Sequence, residues 1–226
     1  MISQEILTVY IAMPVVLKDS NKKIFTFTDR DVSGVILAGG RSSRYGENKG
    51  FARLNGITLI ERVINALQPL FKEIVLITNT PYEYEHLGLA MHEDIIKGLG
   101  PLGGIHTALS KINSEAGFFV ACDMPALNRD LIHYMVEVSG NFDVVIPCIA
   151  GKMETLHAIY SKTCLKPVKR LIDSGQRQIF RFFHEVSVRC VEKEEILRFD
   201  PELISFSNIN RPQELSKYEK LLREVN

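Results

Sequence analysis

The sequence predicts an α/β fold built on a mostly parallel sheet. Short apolar runs rich in β-branched residues, typical of buried strands, alternate along the chain with segments of helical periodicity. Strands that alternate with helices pair in parallel through right-handed crossovers. Polar or glycine-rich segments follow several of these strands, and ligands of such sheets bind beyond the carboxyl ends of the strands. We therefore expect a binding site at that edge.

Strands and helices alternate from residue 34 to the end of the chain. The predicted strands cover residues 34–38, 73–78, 88–94, 117–123, 142–148, 153–161 and 186–192. The predicted helices cover residues 58–71, 103–112, 128–139, 164–175, 178–186 and 212–225. The first helix has one apolar stripe, formed by Leu59, Ile60, Val63, Ile64, Leu67 and Leu70. A helix with such a stripe packs it against a neighbouring layer.

The N-terminal region, residues 1–30, is predicted to be an extension that forms either an extra hairpin or a flexible segment. Its apolar stretch over residues 6–17 is too short to cross a bilayer, and no basic residues precede it as in a signal peptide. We expect no membrane anchor, and one domain over residues 31–226.

Charge balance and cysteine content indicate which partners and which cellular compartment to expect. Lys plus Arg and Asp plus Glu each number 27, whereas general nucleic-acid binders carry a basic excess, so no nucleic-acid partner is expected. The four cysteines, at positions 122, 148, 164 and 190, form no C-x-x-C pair and no disulfide scaffold. We expect buried thiols and a cytoplasmic protein.

The first strand runs into a basic, glycine-rich loop in the stretch GVILAGGRSSRYGENKG, residues 34–50. Gly39 and Gly40 permit backbone angles that other residues avoid, so that successive N–H groups can point at one anion. Arg44 and Lys49 add positive charge. The loop matches neither a Walker A motif nor a G-x-G-x-x-G loop. We predict a phosphate site here rather than a solvated basic turn.

A carboxylate ends the strand in FFVACDMP, where Asp123 follows four apolar residues. Magnesium prefers one or two protein carboxylates, with water and substrate phosphates as its other ligands. The alternative is that Asp123 caps the helix near Asn128 or the turn before it. Because the basic loop lies at the same edge of the predicted sheet, we favour the metal.

Three further polar groups follow predicted strands or lie near the last helix. Asp94 precedes the glycine-rich loop KGLGPLGG, which a ligand can approach closely, although Asp94 is also an ordinary turn former. Asn208 and Asn210 face the same way if the chain is extended and could reach a metal or phosphate, but Asn210 is equally suited to cap the last helix. Asn79 either lines the pocket or begins a turn.

Two other features favour a structural interpretation. His157, within a predicted strand, is expected to be a packed histidine with its hydrogen bonds satisfied rather than a catalyst. Arg177 and Arg181 have helical spacing; they either face a second phosphate or belong to a solvated helix face, and the latter is the default.

Four segments together resemble the molybdenum cofactor guanylyltransferases: LAGGRSSRYGENKG, ED…GPLGGI, CDMP and NINRPQEL. They occur in that family's order and spacing from about Val32 to the C-terminus. The resemblance implies a three-layer α/β/α, Rossmann-like nucleotidyltransferase fold. It also implies transfer of GMP from GTP to molybdopterin with release of pyrophosphate, Mg²⁺ as cofactor, and transient contact with proteins that deliver molybdopterin or receive the product.

The same resemblance implies roles for individual residues. The nucleotide-binding backbone corresponds to Leu37, Ala38, Gly39 and Gly40, and the triphosphate ligands to Arg44 and Lys49. The remaining positions are Asp94 as a GTP contact, Asp123 as the Mg²⁺ ligand and Asn210 as an asparagine near the metal. Some members have a nucleotide-contacting asparagine where this chain has Ile77, and Asn79 takes that role here.

Departures from the family pattern leave two alternatives open. The chain has Asn48 where an aspartate is usual, Tyr45 in place of methionine, and Thr155 in place of a proline. One alternative is a related nucleotidyltransferase that uses CTP or a sugar or polyol phosphate acceptor. The other is a non-catalytic, GTP-binding regulatory protein. Relatives that transfer CMP resemble LAAG at the positions where this chain has LAGG, residues 37–40. This difference favours guanine, because glycine lacks the methyl group of alanine and leaves room for the larger base.

Overall fold

The computed structural model describes residues 31–39, 49–209, 214 and 218. The strands, in chain order, are β1 (Val32–Leu37), β2 (Arg53–Leu54), β3 (Ile57–Thr58), β4 (Ile74–Ile77), β5 (Ala90–His92), β6 (Ala116–Ala121), β7 (Val144–Ile149), β8 (Lys152–Met153), β9 (His157–Ser161) and β10 (Val188–Glu192). The helices are α1 (Leu59–Leu67), α2 (Pro101–Lys111), α3 (Arg129–Glu137), α4 (Leu165–Asp173) and α5 (Lys193–Ile196). The predicted extension over residues 1–30 and most of the predicted last helix lie outside the described residues.

Eight strands form one central sheet in the order β10-β7-β9-β6-β1-β4-β5, with β8 paired to β7. The strand β1 pairs in parallel with β4 and β6, and the pairs β4–β5 and β7–β10 are also parallel. The strand β9 runs antiparallel to both β6 and β7. The predicted α/β fold with a mostly parallel sheet is confirmed.

The reversed direction of β9 follows from the tight hairpin that precedes it. Ala150 and Gly151, with φ of 50° and 76°, lie between β7 and β8, and positive φ at both central residues is typical of a two-residue hairpin. A parallel neighbour would need a crossover of about a dozen residues, which the chain does not have here. The predicted strand over 153–161 therefore divides into β8 and β9.

Helices cover both faces of the sheet. On one face the core includes residues of α1 and α3, namely Ile60, Val63, Leu67, Leu131, Ile132 and Met135. On the other it includes residues of α2 and α4, namely Leu102, Ile105, Leu109, Val168, Leu171 and Ile172. The predicted helix over 178–186 is a 3₁₀ helix over Ile179–Glu185.

Within the described part of the chain, no helix is long and apolar enough to cross a membrane.

The prediction of four free thiols is wrong for one pair. Cys148 of β7 and Cys190 of β10 form a disulfide, with Cα atoms 5.6 Å apart. The two residues are 42 positions apart in sequence, and only the parallel pairing of their strands brings them together. Cys164 is buried as a free thiol, and Cys122 is a partly buried free thiol.

Candidate functional site

A cleft of about 970 Å³ opens at the carboxyl edge of β1, β4 and β6. A cleft of this size suits a ligand as large as a nucleotide. The residues that follow these three strands line it, namely Leu37, Ala38, Gly39, Ile77, Thr78, Asn79, Ala121, Cys122 and Asp123. The predicted position of the site at this edge of the sheet agrees with the structure.

Backbone hydrogen bonds continue the sheet past the ends of the strands and hold the cleft in shape. The amide of Ala38 donates to the carbonyl of Ile77 at 2.9 Å, and the amide of Cys122 donates to the carbonyl of Leu37 at 3.1 Å. The amide of Thr78 donates to a carbonyl of β5 at 3.0 Å. The polar groups that follow these strands therefore start from fixed backbone positions.

The first turn of α2 packs closely on the end of β1. A Cβ atom added at Gly104 would lie 2.9 Å from Leu37 Cδ2, so only glycine permits this approach without a shift. Gly100, with φ of 59°, precedes the helix, and Pro101 is its first residue. Gly100, Pro101 and Gly104 all line the cleft. The N-terminus of α2 thus borders the cleft and favours polar, electron-rich groups of a ligand.

One end of the cleft holds a lysine–aspartate pair. Lys49 begins a 3₁₀ turn, Lys49–Phe51, and its Nζ lies 3.8 Å from Oδ2 of Asp123. Burial raises the pKa of Asp123, while the Lys49 charge and a backbone hydrogen bond offset part of that rise. A nearby cation stabilises the ionised form of a partly buried carboxylate. This end of the cleft therefore suits a metal ion, bound by Asp123, together with phosphates that approach Lys49.

The donor set at this end fits Mg²⁺. Among the described residues, no group of three or more His, Cys, Asp or Glu side chains could hold a metal. A hard cation at this end would bind the Asp123 carboxylate and take its other ligands from water and phosphates, which is the coordination that Mg²⁺ prefers. Asn208 also lines the cleft, and its amide oxygen is an acceptable ligand.

Asn208 is held near Asp123 by its neighbour. The amide of Ile209 donates to the carbonyl of Asp123 at 3.0 Å. Ile209 is itself fully buried in a small cluster with Leu54, Leu59 and Tyr218. A backbone hydrogen bond therefore joins the residue after Asn208 to the turn that contains Asp123.

The other end of the cleft holds an amide–carboxylate pair. Asn79 Nδ2 donates to Asp94 Oδ2 at 2.8 Å, and the Asp94 amide donates to Asn79 Oδ1 at 3.2 Å. The second carboxylate oxygen, Oδ1, is buried and has no hydrogen-bond partner within the described residues. Both residues line the cleft, and Asn79 fixes the orientation of the Asp94 carboxylate there.

The structure brings most of the predicted site residues together. Leu37, Ala38, Gly39, Lys49, Asn79, Asp94 and Asp123 all line the one cleft. Gly40, Arg44 and Asn210 lie outside the described residues. Of the alternatives for Asp123, the cleft favours a ligand role, since Asn128 caps α3 itself by accepting from the Leu131 amide at 2.9 Å.

Other predictions had different outcomes. Arg177 and Arg181 are exposed and do not line the cleft, which agrees with the default of a solvated face. His157 is packed and fully buried as predicted, but the expected hydrogen bonds of its ring nitrogens are not found within the described residues.

The sequence interpretation missed several residues of the cleft, among them Lys97 and Leu156. Lys97 lines the cleft, and its Nζ lies 2.6 Å from Oε2 of Glu93. The signal in the sequence was a basic residue in a glycine-rich loop, which is the pattern that predicted Lys49. Leu156 also lines the cleft, but nothing in the sequence distinguishes it from a core leucine.

The chain is similar to known proteins over most of its length. Residues 34–189 match the family of the MobA-like NTP transferase domain. A probable molybdenum cofactor guanylyltransferase of Peptoclostridium acidaminophilum is 35% identical over 199 residues, which cover 85% of this chain and 90% of that protein. A molybdenum cofactor guanylyltransferase of Desulfosudis oleivorans is 35% identical over 194 residues, which cover 85% and 96%.

A solved structure shows the same arrangement. The crystal structure of molybdopterin-guanine dinucleotide biosynthesis protein A from Archaeoglobus fulgidus superposes with a TM-score of 0.74 and 28% sequence identity. The match covers 85% of this chain and 99% of that chain. The central sheet and its flanking helices are therefore shared over nearly the whole of that protein.

Proposed function

The chain belongs to the molybdenum cofactor guanylyltransferase family of MobA-like NTP transferases, and on that premise we propose that it transfers GMP from Mg²⁺-bound GTP to molybdopterin and releases pyrophosphate. The observation that supports this best is that one cleft is lined by the Lys49–Asp123 pair and by the Asn79–Asp94 pair. The first pair suits phosphates and a metal, and the second suits the polar edge of a base.

The reaction needs no protein nucleophile. A phosphate oxygen of molybdopterin attacks the α-phosphorus of GTP, and the bond from that phosphorus to the bridging oxygen of pyrophosphate breaks. Lys49 places its ammonium where negative charge develops on the phosphates. Asp123 would hold Mg²⁺, which when bound neutralises phosphate charge. The rigid cleft orients the two substrates, and orientation is a large part of catalysis in phosphoryl-type transfers.

The amide–carboxylate end supports guanine over cytosine. Guanine presents N–H donors at its ring nitrogen and its exocyclic amine, whereas the ring nitrogen of cytosine that faces a partner is an acceptor. The carboxylate of Asp94, which lines the cleft, would accept from such donors, while Asn79 keeps it in place through Oδ2. A carboxylate facing the acceptor nitrogen of cytosine would be repelled.

The decisive experiment is pyrophosphate release by the purified protein with Mg²⁺ and molybdopterin, comparing GTP, CTP and ATP. We expect release with GTP, and a reduction of about 100-fold in kcat for Lys49→Ala. Release with CTP alone would favour the cytidylyl alternative. GTP binding without release would favour the regulatory alternative, and full activity of Lys49→Ala would remove Lys49 from the mechanism.

A further inference from the structure

The imidazole of His157 is buried, and the described part of the chain offers it none of the hydrogen bonds that a buried polar group normally makes. Its exposure is zero, and neither Nδ1 nor Nε2 has a partner within the described residues. Burial lowers the pKa of His157 to about 3, so the ring is neutral near pH 7, with one N–H donor and one acceptor nitrogen. An apolar ring of similar size would fill the site without this desolvation penalty.

The ring lies behind the metal-and-phosphate end of the cleft. His157 is paired across the sheet with Val120, three residues before Asp123. Its ring meets the Phe118 ring edge-on, with centroids 5.1 Å apart. The residue before it, Leu156, lines the cleft. His157 is thus one layer beneath the reacting groups, without contact with the ligand space itself.

The same ring also contacts the segment that contains Asn208. The Phe206 ring lies 4.9 Å from the His157 ring, centroid to centroid. Phe206 ends a 3₁₀ turn, Ile204–Phe206, two residues before Asn208. Since the amide of Ile209 binds the carbonyl of Asp123, His157 lies between the two segments whose relative position places Asp123 and Asn208.

We propose that His157 is a positioning residue for the transfer reaction: in the substrate-bound cleft, one ring nitrogen forms a hydrogen bond with the backbone of the Phe206–Ile209 segment and so fixes Asn208 relative to Asp123. A ring nitrogen that has no partner among the described residues of the free protein, but is bonded in the substrate complex, stabilises the second state selectively. Only such differential interactions raise the rate of the chemical step. The proposal rests on the proposed function.

The test compares His157→Phe and His157→Gln with the wild-type chain. We expect His157→Phe to keep or raise the Tm without substrates, to leave KM for GTP unchanged, and to lower kcat about tenfold or more, because small misplacements of reacting groups are costly. His157→Gln, which can still hydrogen-bond, should recover part of kcat despite a lower Tm. Phe118→Leu is the matched control in the same cluster: its Tm should fall while kcat stays close to the wild-type value.

Two results would overturn the proposal. One is full kcat in His157→Phe, which makes the residue part of the core only. The other is a loss of kcat that accompanies a fall in Tm as large as that of Phe118→Leu, because disrupted packing then explains the loss.

A spectroscopic readout separates this proposal from the proposed function. In ¹⁵N NMR of the imidazole groups, the His157 signals, assigned from the His157→Phe spectrum, should shift to hydrogen-bonded values when Mg²⁺, GTP and molybdopterin are added. Unchanged signals in protein that binds these ligands would refute the positioning role. Absence of pyrophosphate release from the wild-type chain would instead refute the proposed function, whatever the imidazole signals show.

Discussion

Several residues of the cleft have backbone hydrogen bonds that hold them in place independently of their side chains. The carbonyl of Asp123 accepts from the Ile209 amide, and the amides of Ala38 and Cys122 continue the sheet past its strands. Side chains here can therefore be changed without loss of the fold, since the backbone that presents them stays bonded. This makes the cleft suitable for substitutions that separate binding from stability.

Asp94→Asn is expected to weaken the preference for GTP. The amide keeps the size of the carboxylate, but it removes the charge and replaces one acceptor oxygen with a donor group. Hydrogen bonds to a charged group contribute about 1.5–3 kcal/mol, so kcat/KM for GTP should fall about 10- to 100-fold. The rate with CTP should fall less or rise. Steady-state pyrophosphate release with each nucleotide measures both.

Glu85→Gln is the control for this substitution. Glu85 is an exposed carboxylate that does not line the cleft, so its loss changes the net charge equally and should leave both rates unchanged. An equal drop with GTP and CTP in Asp94→Asn would contradict a role in base recognition and indicate a role common to both nucleotides.

At the scale of secondary-structure elements, a polar cluster joins the amino ends of β1 and β4 to the α2–β6 connection. The Glu73 carboxylate accepts from the Ser33 hydroxyl, from the Asn113 amide at 3.1 Å and from Asn113 Nδ2 at 2.5 Å. Ser33 also bonds to Ser114, and both hydroxyls are buried. Glu73 thus supplies the acceptors for three donors at the end of the sheet opposite the cleft.

Glu73→Gln should destabilise the fold at neutral pH and less so in acid. Burial raises the pKa of Glu73, but the hydrogen bonds from Ser33 and Asn113 outweigh burial and leave it below its usual value of 4.5. Because the folded-state pKa is the lower one, the stabilisation is present above the unfolded pKa and is lost as the pH falls through the folded one. The Tm difference between wild type and Glu73→Gln, measured by thermal unfolding at pH 7 and at pH 3, tests this.

Glu115→Gln, at an exposed position beside the same connection, should show no comparable change in Tm at pH 7. If the Tm difference between wild type and Glu73→Gln were the same at both pH values, the ionised carboxylate would not be the source of the stabilisation.

Local patterns predicted most elements, and long-range pairing decided the rest. The stripe that predicted the helix over 58–71 and the Gly-Pro sequence before α2 are properties of neighbouring residues, so those elements lie close to their predicted places. The direction of β9 depends on a two-residue turn, and the contact of Cys148 with Cys190 on the pairing of β7 with β10. Neither is visible in local periodicity.

In the candidate site too, local patterns predicted some residues, and long-range pairing decided the others. Lys49, Asp94 and Asp123 could be predicted because each ends or follows a strand or a glycine-rich loop, and parallel strands gather such positions at one edge. Leu156 and His157 could not, because their importance comes from the reversed strand β9, which brings its first residues next to the end of β6.

On the scale of the whole molecule, the sheet joins two unlike parts. Around β1, the strands are parallel and their connections form the cleft. Beyond β9, the strand β10 is at the edge and pairs with β7 alone in the sheet order, and the Cys148–Cys190 disulfide adds a covalent link to that pair. The chain after β10 leads through α5 to Asn208, so the stability of this edge bears on the position of a cleft residue.

Reduction of this disulfide should lower the free energy of unfolding by up to about 4 kcal/mol, the loop-closure entropy expected for residues 42 positions apart. Guanidinium unfolding with and without dithiothreitol measures the change. The double variant Cys148→Ser, Cys190→Ser should have the free energy of unfolding of the reduced wild type, with and without dithiothreitol. The free energy of unfolding of Cys164→Ser should still fall when dithiothreitol is added. Thiol titration of the denatured, unreduced protein should find two free thiols, Cys122 and Cys164; four free thiols, or a midpoint indifferent to reductant, would show that the cross-link does not stabilise this edge of the sheet.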